Sequence, residues 1–455
     1  MNTTTAGTLE HLDPSTLVLE TNVRTAPALT KAFVADIRER GIRTPVEAWR
    51  DPSGTVHVRA GQRRTTAALE IGLPTIPVFL VDADDADTAA RIIDQLNENE
   101  HREALNDGDR ISAWHQLEME GLSVATIAKR TGAEKARVTS GLAVAKSETG
   151  NRLVQEVALT LDQAADLIEF EDDAKLVDEL TETATTDPAY FPVAVQRARD
   201  SRERHAVCAA ATEAEEAKGH TILDPTQWSE PGTRLRALLT ADGEAVTVAD
   251  VEGKEGVSVR ITASRDYETK VMTADVTHYV TDPAALGLTL RPGYGSSSTQ
   301  GPMTDAQKAE RKTLIANNKE WDAAETVRRE WLTNLIARKA LPKNAAQVIA
   351  ASLTSHRYKV SQAMSQGNTV ASQLLGVQKD YQRDVLGAYL DKNPARAGHV
   401  SLAVVLGGLE ETTSRNTWRN PDDSHATYLN TLAGWGYNLC PVERIAAKLA
   451  PETES

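Results

Sequence analysis

The chain has 455 residues, with 65 acidic and 50 basic side chains and a formal net charge of −15; at roughly 150 residues per domain, this length suggests about three domains. No apolar run approaches the roughly 20 residues that span a bilayer, and the amino terminus lacks the basic and apolar regions of a secretory signal. The isolated cysteines Cys208 and Cys440 exclude a disulfide framework and show no metal-ligand spacing, so we expect a cytoplasmic protein with no membrane partner.

Residues 16–82 mix short strands and helices, a pattern typical of a compact α/β domain. Residues 1–15 are predicted to form a polar tail. The predicted elements then follow in chain order: a strand at Leu17–Leu19, a helix at Ala26–Arg40, strands at Val46–Trp49 and Thr55–Val58 around the turn Asp51–Gly54, a helix at Arg63–Ile71 and a strand at Ile76–Val81.

The remainder of the chain is predicted to be mostly helical. Apolar spacing indicates helices almost throughout residues 86–217 and again over 306–450. Between them, residues 226–290 contain two predicted strands, Val257–Thr262 and Val276–Val280. Residues 291–305 are rich in Gly, Ser and Pro, a composition typical of a linker.

The segment Gly-Gln-Arg-Arg at residues 61–64 lies between a predicted strand and a predicted helix. A glycine lets the backbone approach a ligand closely, and free amides at a helix start together with two arginines suit a phosphate chain. The alternative is a loop glycine followed by exposed arginines.

The segment Glu-Asn-Glu-His-Arg at residues 98–102 carries a second signal. A carboxylate beside an amide oxygen, one helical turn before an arginine, can hold Mg²⁺ against nucleotide phosphates. The alternative is a solvated polar helix face.

Residues 122–146 have the spacing of a helix-turn-helix. Ser123 caps a first helix, Gly132 occupies the turn, and a second helix packs through Val138 and Leu142. An ordinary helical hairpin is the alternative. The exposed side of the second helix is predicted to reach bases or phosphates through Lys135, Arg137, Thr139 and Ser140.

Acidic and basic residues are unevenly distributed along the chain. The net negative charge therefore does not exclude a nucleic-acid partner. Residues 122–150 hold five basic and two acidic side chains, whereas residues 151–224 hold 17 acidic and seven basic ones. The acidic excess is therefore concentrated just after the predicted DNA-binding helices.

These three signals, in this order, resemble the ParB family of DNA-partition proteins. The likeness runs from about Leu17 to Lys146 and includes Gly41–Val46, similar to the strand entry of the family, and Gly72–Val78, similar to a later strand. It implies a homodimer that binds CTP and Mg²⁺, recognises a palindromic centromere-like site in double-stranded DNA through the helix-turn-helix, and slides along DNA as a clamp. The family also implies a ParA-type ATPase partner and a place on the nucleoid or a plasmid.

The resemblance also assigns residues. Gly61, Gln62, Arg63 and Arg64 would hold the triphosphate, Thr44 and Pro45 would lie near the base or ribose, Glu98 and Asn99 would hold Mg²⁺, and Arg102 would support the phosphates.

The chain departs from the family pattern at three places. Gln62 replaces a glutamate linked to CTP hydrolysis, and an amide can neither act as a general base nor carry charge, so hydrolysis is expected to be slow or absent. Thr66 replaces a further arginine of the same helix. The amino-terminal tail also lacks the short basic arm through which many relatives stimulate ParA.

The predicted fold class is mixed and predominantly α. Its parts are a small α/β ParB-like nucleotide-binding domain at 16–105, an all-α DNA-binding domain at 106–225 with the helix-turn-helix at 122–146, a small α+β region at 226–290, a linker at 291–305 and a helical carboxy-terminal domain at 306–450.

Residues 308–343 carry nine basic and five acidic side chains beside an apolar stripe at helical spacing: Trp321, Ala324, Val327, Trp331 and Leu335. Either this is a second nucleic-acid or partner surface, or it is an amphipathic core helix whose charges face water, and we favour the core helix. Trp418, Trp435 and Tyr437 are likewise interpreted as core anchors rather than platforms for base stacking.

Two other functions remain open. A transcription regulator could keep the fold and the helix-turn-helix without nucleotide switching. A nuclease is disfavoured, because beyond Glu98 and Asn99 the sequence shows no dense carboxylate or histidine cluster for two metal ions.

Overall fold

The computed structural model describes residues 7–19, 29–81, 106–224, 231–266, 269–292, 294, 304–378 and 384–450, together with Ala89, Ile92, Ile93, Leu96 and Asn97. The chain divides into two compact units, Met1–Thr185 and Thr186–Ser455. The predicted fold class is confirmed, since helices predominate and the sheets are small. Among the described residues, no helix is both long and apolar enough to cross a membrane.

The first unit begins with a five-stranded sheet in the order β1-β5-β3-β4-β2. Its elements are β1 (Gly7–Leu12), β2 (Leu17–Leu19), α1 (Lys31–Arg40), β3 (Val46–Arg50), β4 (Val56–Ala60), α2 (Gln62–Ile71) and β5 (Ile76–Val81). The predicted strand-turn-strand is confirmed: β3 and β4 pair antiparallel, and the Asp51 carboxylate accepts the backbone N–H groups of Ser53 and Thr55 in the turn. The core is aliphatic, with Val46, Ala48, Val58, Ile76 and Val78 fully buried.

The expectation of a polar tail over residues 1–15 was wrong, because Gly7–Leu12 forms β1. This edge strand pairs antiparallel with β5 along its whole length, and Glu10 forms an ion pair with Arg50 at 2.9 Å. A Cβ on Gly7 would lie 2.5 Å from the Leu80 carbonyl oxygen. The strand is held by backbone hydrogen bonds and buries none of its residues fully, so its sequence has no apolar pattern to reveal it.

From Asp107 onward, the described part of the first unit is helical, and its helices bury an apolar face. They are α3 (Asp107–Met119), α4 (Val124–Thr131), α5 (Lys135–Lys146), α6 (Glu148–Gln155), α7 (Leu161–Leu167) and α8 (Ala174–Thr186), which ends at the unit boundary. The buried side chains include Ile111, Trp114, Leu117, Ile127, Val138, Leu142 and Leu153.

Gly141 marks a close approach of α5 to α3, because a Cβ there would lie 2.6 Å from a ring carbon of Trp114. Replacing Gly141 with leucine is expected to lower the free energy of unfolding by about 1–3 kcal/mol, since the added atoms overpack the core. Urea denaturation of the full chain measures the effect. Ala143→Leu on the exposed side of the same helix is the control, expected within about 0.5 kcal/mol of the parent; equal effects of the two variants would contradict the packing.

The second unit starts with a long helix and two small sheets. Its elements are α9 (Phe191–Glu216), β6 (Thr221–Ile222), β7 (Thr233–Arg234), β8 (Leu238–Leu239), β9 (Val257–Arg265), β10 (Met272–Val280) and β11 (Thr289–Leu290). The sheet orders are β6-β9-β10-β7 and β11-β8. The predicted strands at Val257–Thr262 and Val276–Val280 are confirmed within β9 and β10.

Most of the predicted linker at 291–305 lies outside the described residues. The carboxy-terminal helices follow. They are α10 (Asp305–Ala337), α11 (Ala345–Ser355), α12 (Arg357–Ser365), α13 (Thr369–Leu374), α14 (Val385–Lys392), α15 (Ala397–Glu411), α16 (Asp423–Gly434) and α17 (Pro441–Ala446). Single 3₁₀ turns lie at Pro14–Thr16, Ile168–Phe170, Leu235–Ala237, Ala284–Leu286 and Pro394–Arg396.

The core interpretation of the apolar stripe is confirmed. Trp321, Ala324 and Leu335 are buried in the carboxy-terminal core, and Val327 and Trp331 pack against it. Tyr437 is buried in the same core, and Trp418 and Trp435 pack against it as well. This helix therefore uses its stripe for packing rather than for base stacking.

A fully buried ion network crosses this core. Arg328 donates from Nε and Nη2 to the two carboxylate oxygens of Glu410, at 2.7 and 2.9 Å, and from Nη1 to Glu443 at 2.5 Å. Tyr428 donates to Glu410 and Tyr437 donates to Glu443, at 2.8 and 3.0 Å. The desolvation of Glu410 by burial is outweighed by the attraction of Arg328, which lowers the pKa of Glu410, whereas burial raises the pKa of Glu443.

Candidate functional site

The predicted phosphate loop joins β4 to α2. Gly61 is the residue before α2 and has φ +98°, a left-handed conformation that glycine adopts without strain. Arg64, in the first turn of α2, donates from Nη1 to the backbone carbonyl oxygens of Thr44 and Pro45, the latter at 2.8 Å. A Cβ on Gly61 would lie 2.9 Å from Arg64 Nη2. The structure therefore brings Gly61, Arg64, Thr44 and Pro45 together, with Arg64 linking the two loops.

The other residues of this loop point in different directions. The Arg63 guanidinium lies over the Phe33 ring, 4.7 Å from its centroid, and the residue is exposed. Gln62 is the first residue of α2 and is half-buried, and its carbonyl oxygen accepts the Thr66 hydroxyl at 3.0 Å. Arg63 thus offers an exposed guanidinium fork next to the first amides of α2, which have no intrahelical acceptor.

The predicted Mg²⁺ ligands Glu98 and Asn99, and the predicted phosphate contact Arg102, lie outside the described residues. Their roles stay predictions. Asn97, just before them, donates from Nδ2 to the Arg130 carbonyl oxygen at 3.5 Å, so Asn97 itself lies next to the end of α4.

Two helices and a turn occupy the residues where the helix-turn-helix is predicted. The Ser123 hydroxyl accepts the Thr126 N–H and caps α4, and Gly132 ends that helix with φ +71°. After this turn α5 begins at Lys135 and buries Val138 and Leu142. The turn needs a left-handed residue, which explains the glycine.

The four residues predicted to contact DNA lie in the first half of α5. Lys135, Arg137 and Thr139 are exposed, and Ser140 is half-buried. The Arg137 guanidinium lies 3.2 Å from the Asp107 carboxylate, and the Thr139 hydroxyl donates to the Lys135 carbonyl oxygen at 3.0 Å. The first two turns of α5 therefore present two cations and a hydroxyl to solvent, with Arg137 on a different side of the helix from Lys135 and Thr139.

Asp107 is a residue that the sequence analysis missed. Its carboxylate also accepts Arg110 at 2.7 Å and the Leu161 backbone N–H at 2.9 Å, so it orients Arg137 and joins α3 to α7. An aspartate at the start of a helix is ordinary, and nothing in the sequence signals its distant partners.

A second group missed from the sequence is the buried cluster of Glu215, His220 and His278. Glu215 and His220 are five residues apart, but His278 follows 63 residues after Glu215, so no spacing motif joins the three. Neither cysteine takes part: Cys208 is half-buried and Cys440 is buried, and burial raises the pKa of the Cys440 thiol well above its usual value.

Part of the sequence is similar to curated chromosome-partitioning and nucleoid occlusion proteins. A probable chromosome-partitioning protein ParB of Treponema pallidum is 33% identical over 143 residues, which are 30% of this chain and 43% of that protein. A nucleoid occlusion protein of Halalkalibacterium halodurans is 30% identical over 151 residues, 32% of this chain and 52% of that protein. The chain thus spans about half the length of the curated relatives it matches. No protein-family model matches it.

The search of solved structures gives weaker likenesses. The C-terminally truncated ParB of Caulobacter crescentus in complex with its centromeric parS site is 20% identical, covering 38% of this chain and 92% of that one with a TM-score of 0.27. With a TM-score this low, that structure informs neither the fold nor the ligands of this chain. The sequence relatives, however, confirm the resemblance that the motifs indicate: about a third of this chain is similar in sequence to a ParB and to a nucleoid occlusion protein.

Proposed function

We propose that this chain is a partition protein that binds a specific palindromic site in double-stranded DNA as a homodimer. The observation that carries the proposal is the exposed set on α5, where Lys135, Arg137 and Thr139 follow a capped helix and a glycine turn. Side chains in the first turns of a second helix are those that reach base edges when the helix enters the major groove. A two-fold dimer matches a palindromic site.

Replacing Arg137 with alanine is expected to weaken binding to the specific DNA site by about 1–3 kcal/mol, the range of a bidentate base contact. Fluorescence anisotropy measures the affinity for a site selected from random DNA with the parent protein. Lys175→Ala is the matched control, because it removes the same charge from a fully exposed position on α8. Equal losses in the two variants, or failure of the parent to select any site, would contradict DNA reading by α5.

We also propose that the amino-terminal domain binds CTP with Mg²⁺ and acts as a DNA clamp. The support is Arg64, which follows Gly61 in the phosphate loop and donates to the carbonyl oxygens of Thr44 and Pro45. Arg63 adds an exposed guanidinium group next to it. Guanidinium forks fit phosphate oxygens better than point charges do. Glu98 and Asn99 are the proposed Mg²⁺ ligands, and Arg102 is a proposed phosphate contact.

Gln62 sets the expected rate of CTP hydrolysis. An amide at this position can orient water but cannot remove a proton, so the parent is expected to release phosphate slowly or not at all. Gln62→Glu is expected to raise the rate, by as much as about 10²-fold if the carboxylate serves as a general base. A phosphate-release assay with CTP, Mg²⁺ and the selected DNA site measures this; Gln62→Asn is the control, and a variant no faster than the parent would contradict this role.

A ParA-type ATPase is the proposed partner that moves the complex. It is expected from the resemblance, whereas the sequence of the tail carries no basic arm to support it. Stimulation of ATP hydrolysis by a ParA protein encoded next to this chain tests the partner, and an unchanged rate would argue against it.

A transcription regulator without nucleotide switching is the second candidate. The observation that favours it is that Arg64 already bonds to the carbonyl oxygens of Thr44 and Pro45, a role that needs no nucleotide. DNA footprinting with and without CTP separates the two functions: spreading from the site with CTP supports the clamp, and unchanged protection of one operator supports the regulator.

A further inference from the structure

Three polar side chains meet where α9 ends and the sheet of the second unit begins. Glu215 is in the last turn of α9, His220 precedes β6, and His278 lies on β10. All are buried, with side-chain exposures of 6%, 0% and 7%. A carboxylate and two histidines at such depth need a specific reason, because burying polar groups costs free energy unless they are well paired.

The pairing centres on one oxygen atom. Glu215 Oε2 lies 2.7 Å from His220 Nδ1 and 3.0 Å from His278 Nε2, while Oε1 accepts Lys218 Nζ at 2.7 Å. Burial opposes ionisation of Glu215, but the hydrogen bonds from Lys218, His220 and His278 outweigh it and lower its pKa to about 2. Two imidazoles are therefore directed at one oxygen atom of the carboxylate.

Hydrogen bonding does not satisfy this cluster completely. Nε2 of His220 is buried without a hydrogen-bond partner in the structure. A partly satisfied buried polar network contributes little to stability. The donor set, two imidazole nitrogens and one carboxylate oxygen all within 4.8 Å of one another, is instead a set that divalent zinc binds.

We propose that Glu215, His220 and His278 bind one divalent transition-metal ion, with zinc the best match. Zinc takes imidazole nitrogen and carboxylate oxygen at about 2.0–2.2 Å in tetrahedral geometry, which places ligand atoms roughly 3.3 Å apart. The present separations of 2.7 and 3.0 Å reach that value with small side-chain shifts. Water completes the coordination, and Lys218 keeps the carboxylate oriented through its other oxygen.

The chemistry of the ligands selects the metal. Mg²⁺ and Ca²⁺ prefer oxygen ligands throughout, whereas imidazole suits zinc, copper, nickel and iron. The ion would tie the carboxy-terminal end of α9 to β10, two elements that already pack against each other. The site is independent of the proposed nucleotide and DNA sites, which lie in the first unit.

The test titrates zinc into untagged, chelator-treated full-length protein by calorimetry and follows the melting temperature. We expect one equivalent to bind with a Kd of micromolar or below, and the melting temperature to rise because the metal binds the folded state. His278→Gln and Glu215→Gln are expected to lose this binding. His205→Gln, an exposed histidine on the same helix, is the control and should bind as the parent does.

Cobalt binding keeps the test decisive if a ligand variant fails to fold. Co²⁺ in a tetrahedral site of the parent is expected to give intense visible absorption, which zinc then displaces. Lys218→Met retains all three ligands, so it is expected to keep the cobalt absorption and its displacement by zinc. Absence of stoichiometric binding and of tetrahedral cobalt absorption in the parent, or binding unchanged in both ligand variants, would overturn the proposal.

Discussion

Replacing Arg328 with methionine is expected to lower the free energy of unfolding by about 3–5 kcal/mol, because it leaves Glu443 buried without its cation and Glu410 with only the 3.4 Å pair to Arg329. The side chains of Arg328, Glu410 and Glu443 have 0% exposure, so water cannot replace the lost partner. Chemical denaturation followed by circular dichroism measures the loss of stability. The measurement is made on the protein alone, without nucleotide or DNA.

Arg415→Met is the matched control for this prediction. Arg415 forms a two-bond ion pair with Asp322, but its side chain is 57% exposed, and exposed pairs contribute about 0–1 kcal/mol. If Arg328→Met loses no more than Arg415→Met does, the buried network does not stabilise the carboxy-terminal core. The triple variant Arg328→Met, Glu410→Leu, Glu443→Leu should recover part of the loss, because it removes the unpaired charges.

Replacing Arg64 with alanine is expected to reduce the affinity for CTP by about 10- to 150-fold, which corresponds to the roughly 1.5–3 kcal/mol of a hydrogen bond from a charged group. The change removes the bonds to the carbonyl oxygens of Thr44 and Pro45 and a proposed contact with phosphate. Calorimetry with Mg²⁺ present measures the affinity.

Two further variants separate these roles. Arg64→Lys keeps the charge but not the planar fork, so it should lose most of the affinity as well if the geometry matters. Arg38→Ala, at an exposed position on α1, removes a similar charge elsewhere in the domain and should leave CTP binding unchanged. If Arg64→Ala binds CTP as the parent does, Arg64 only supports the loop of Thr44 and Pro45.

Local signals were sufficient for much of the first unit. Asp51–Gly54 predicted the β3–β4 turn, because an aspartate side chain can accept backbone N–H groups of a turn and a glycine can adopt its positive φ. Gly132 likewise predicted the turn before α5. These features depend on neighbouring residues, so a single sequence reveals them.

Features that depend on distant residues were not predictable. Arg328 meets carboxylates 82 and 115 residues further along the chain, and its charge alone suggested a solvated face. His278 joins Glu215 only through the sheet, and β1 is held by backbone hydrogen bonds that leave no pattern in its side chains. In each case the decisive partner is set by topology rather than by spacing.

We propose above that the amino-terminal domain uses a nucleotide to control binding of DNA by α5. Calorimetric titration of CTP into the full-length protein with Mg²⁺, in the presence and absence of the selected DNA site, tests it most directly. We expect saturable binding of one CTP per chain, strengthened by the DNA site and weakened by removal of Mg²⁺. Absence of CTP binding under all of these conditions would contradict it.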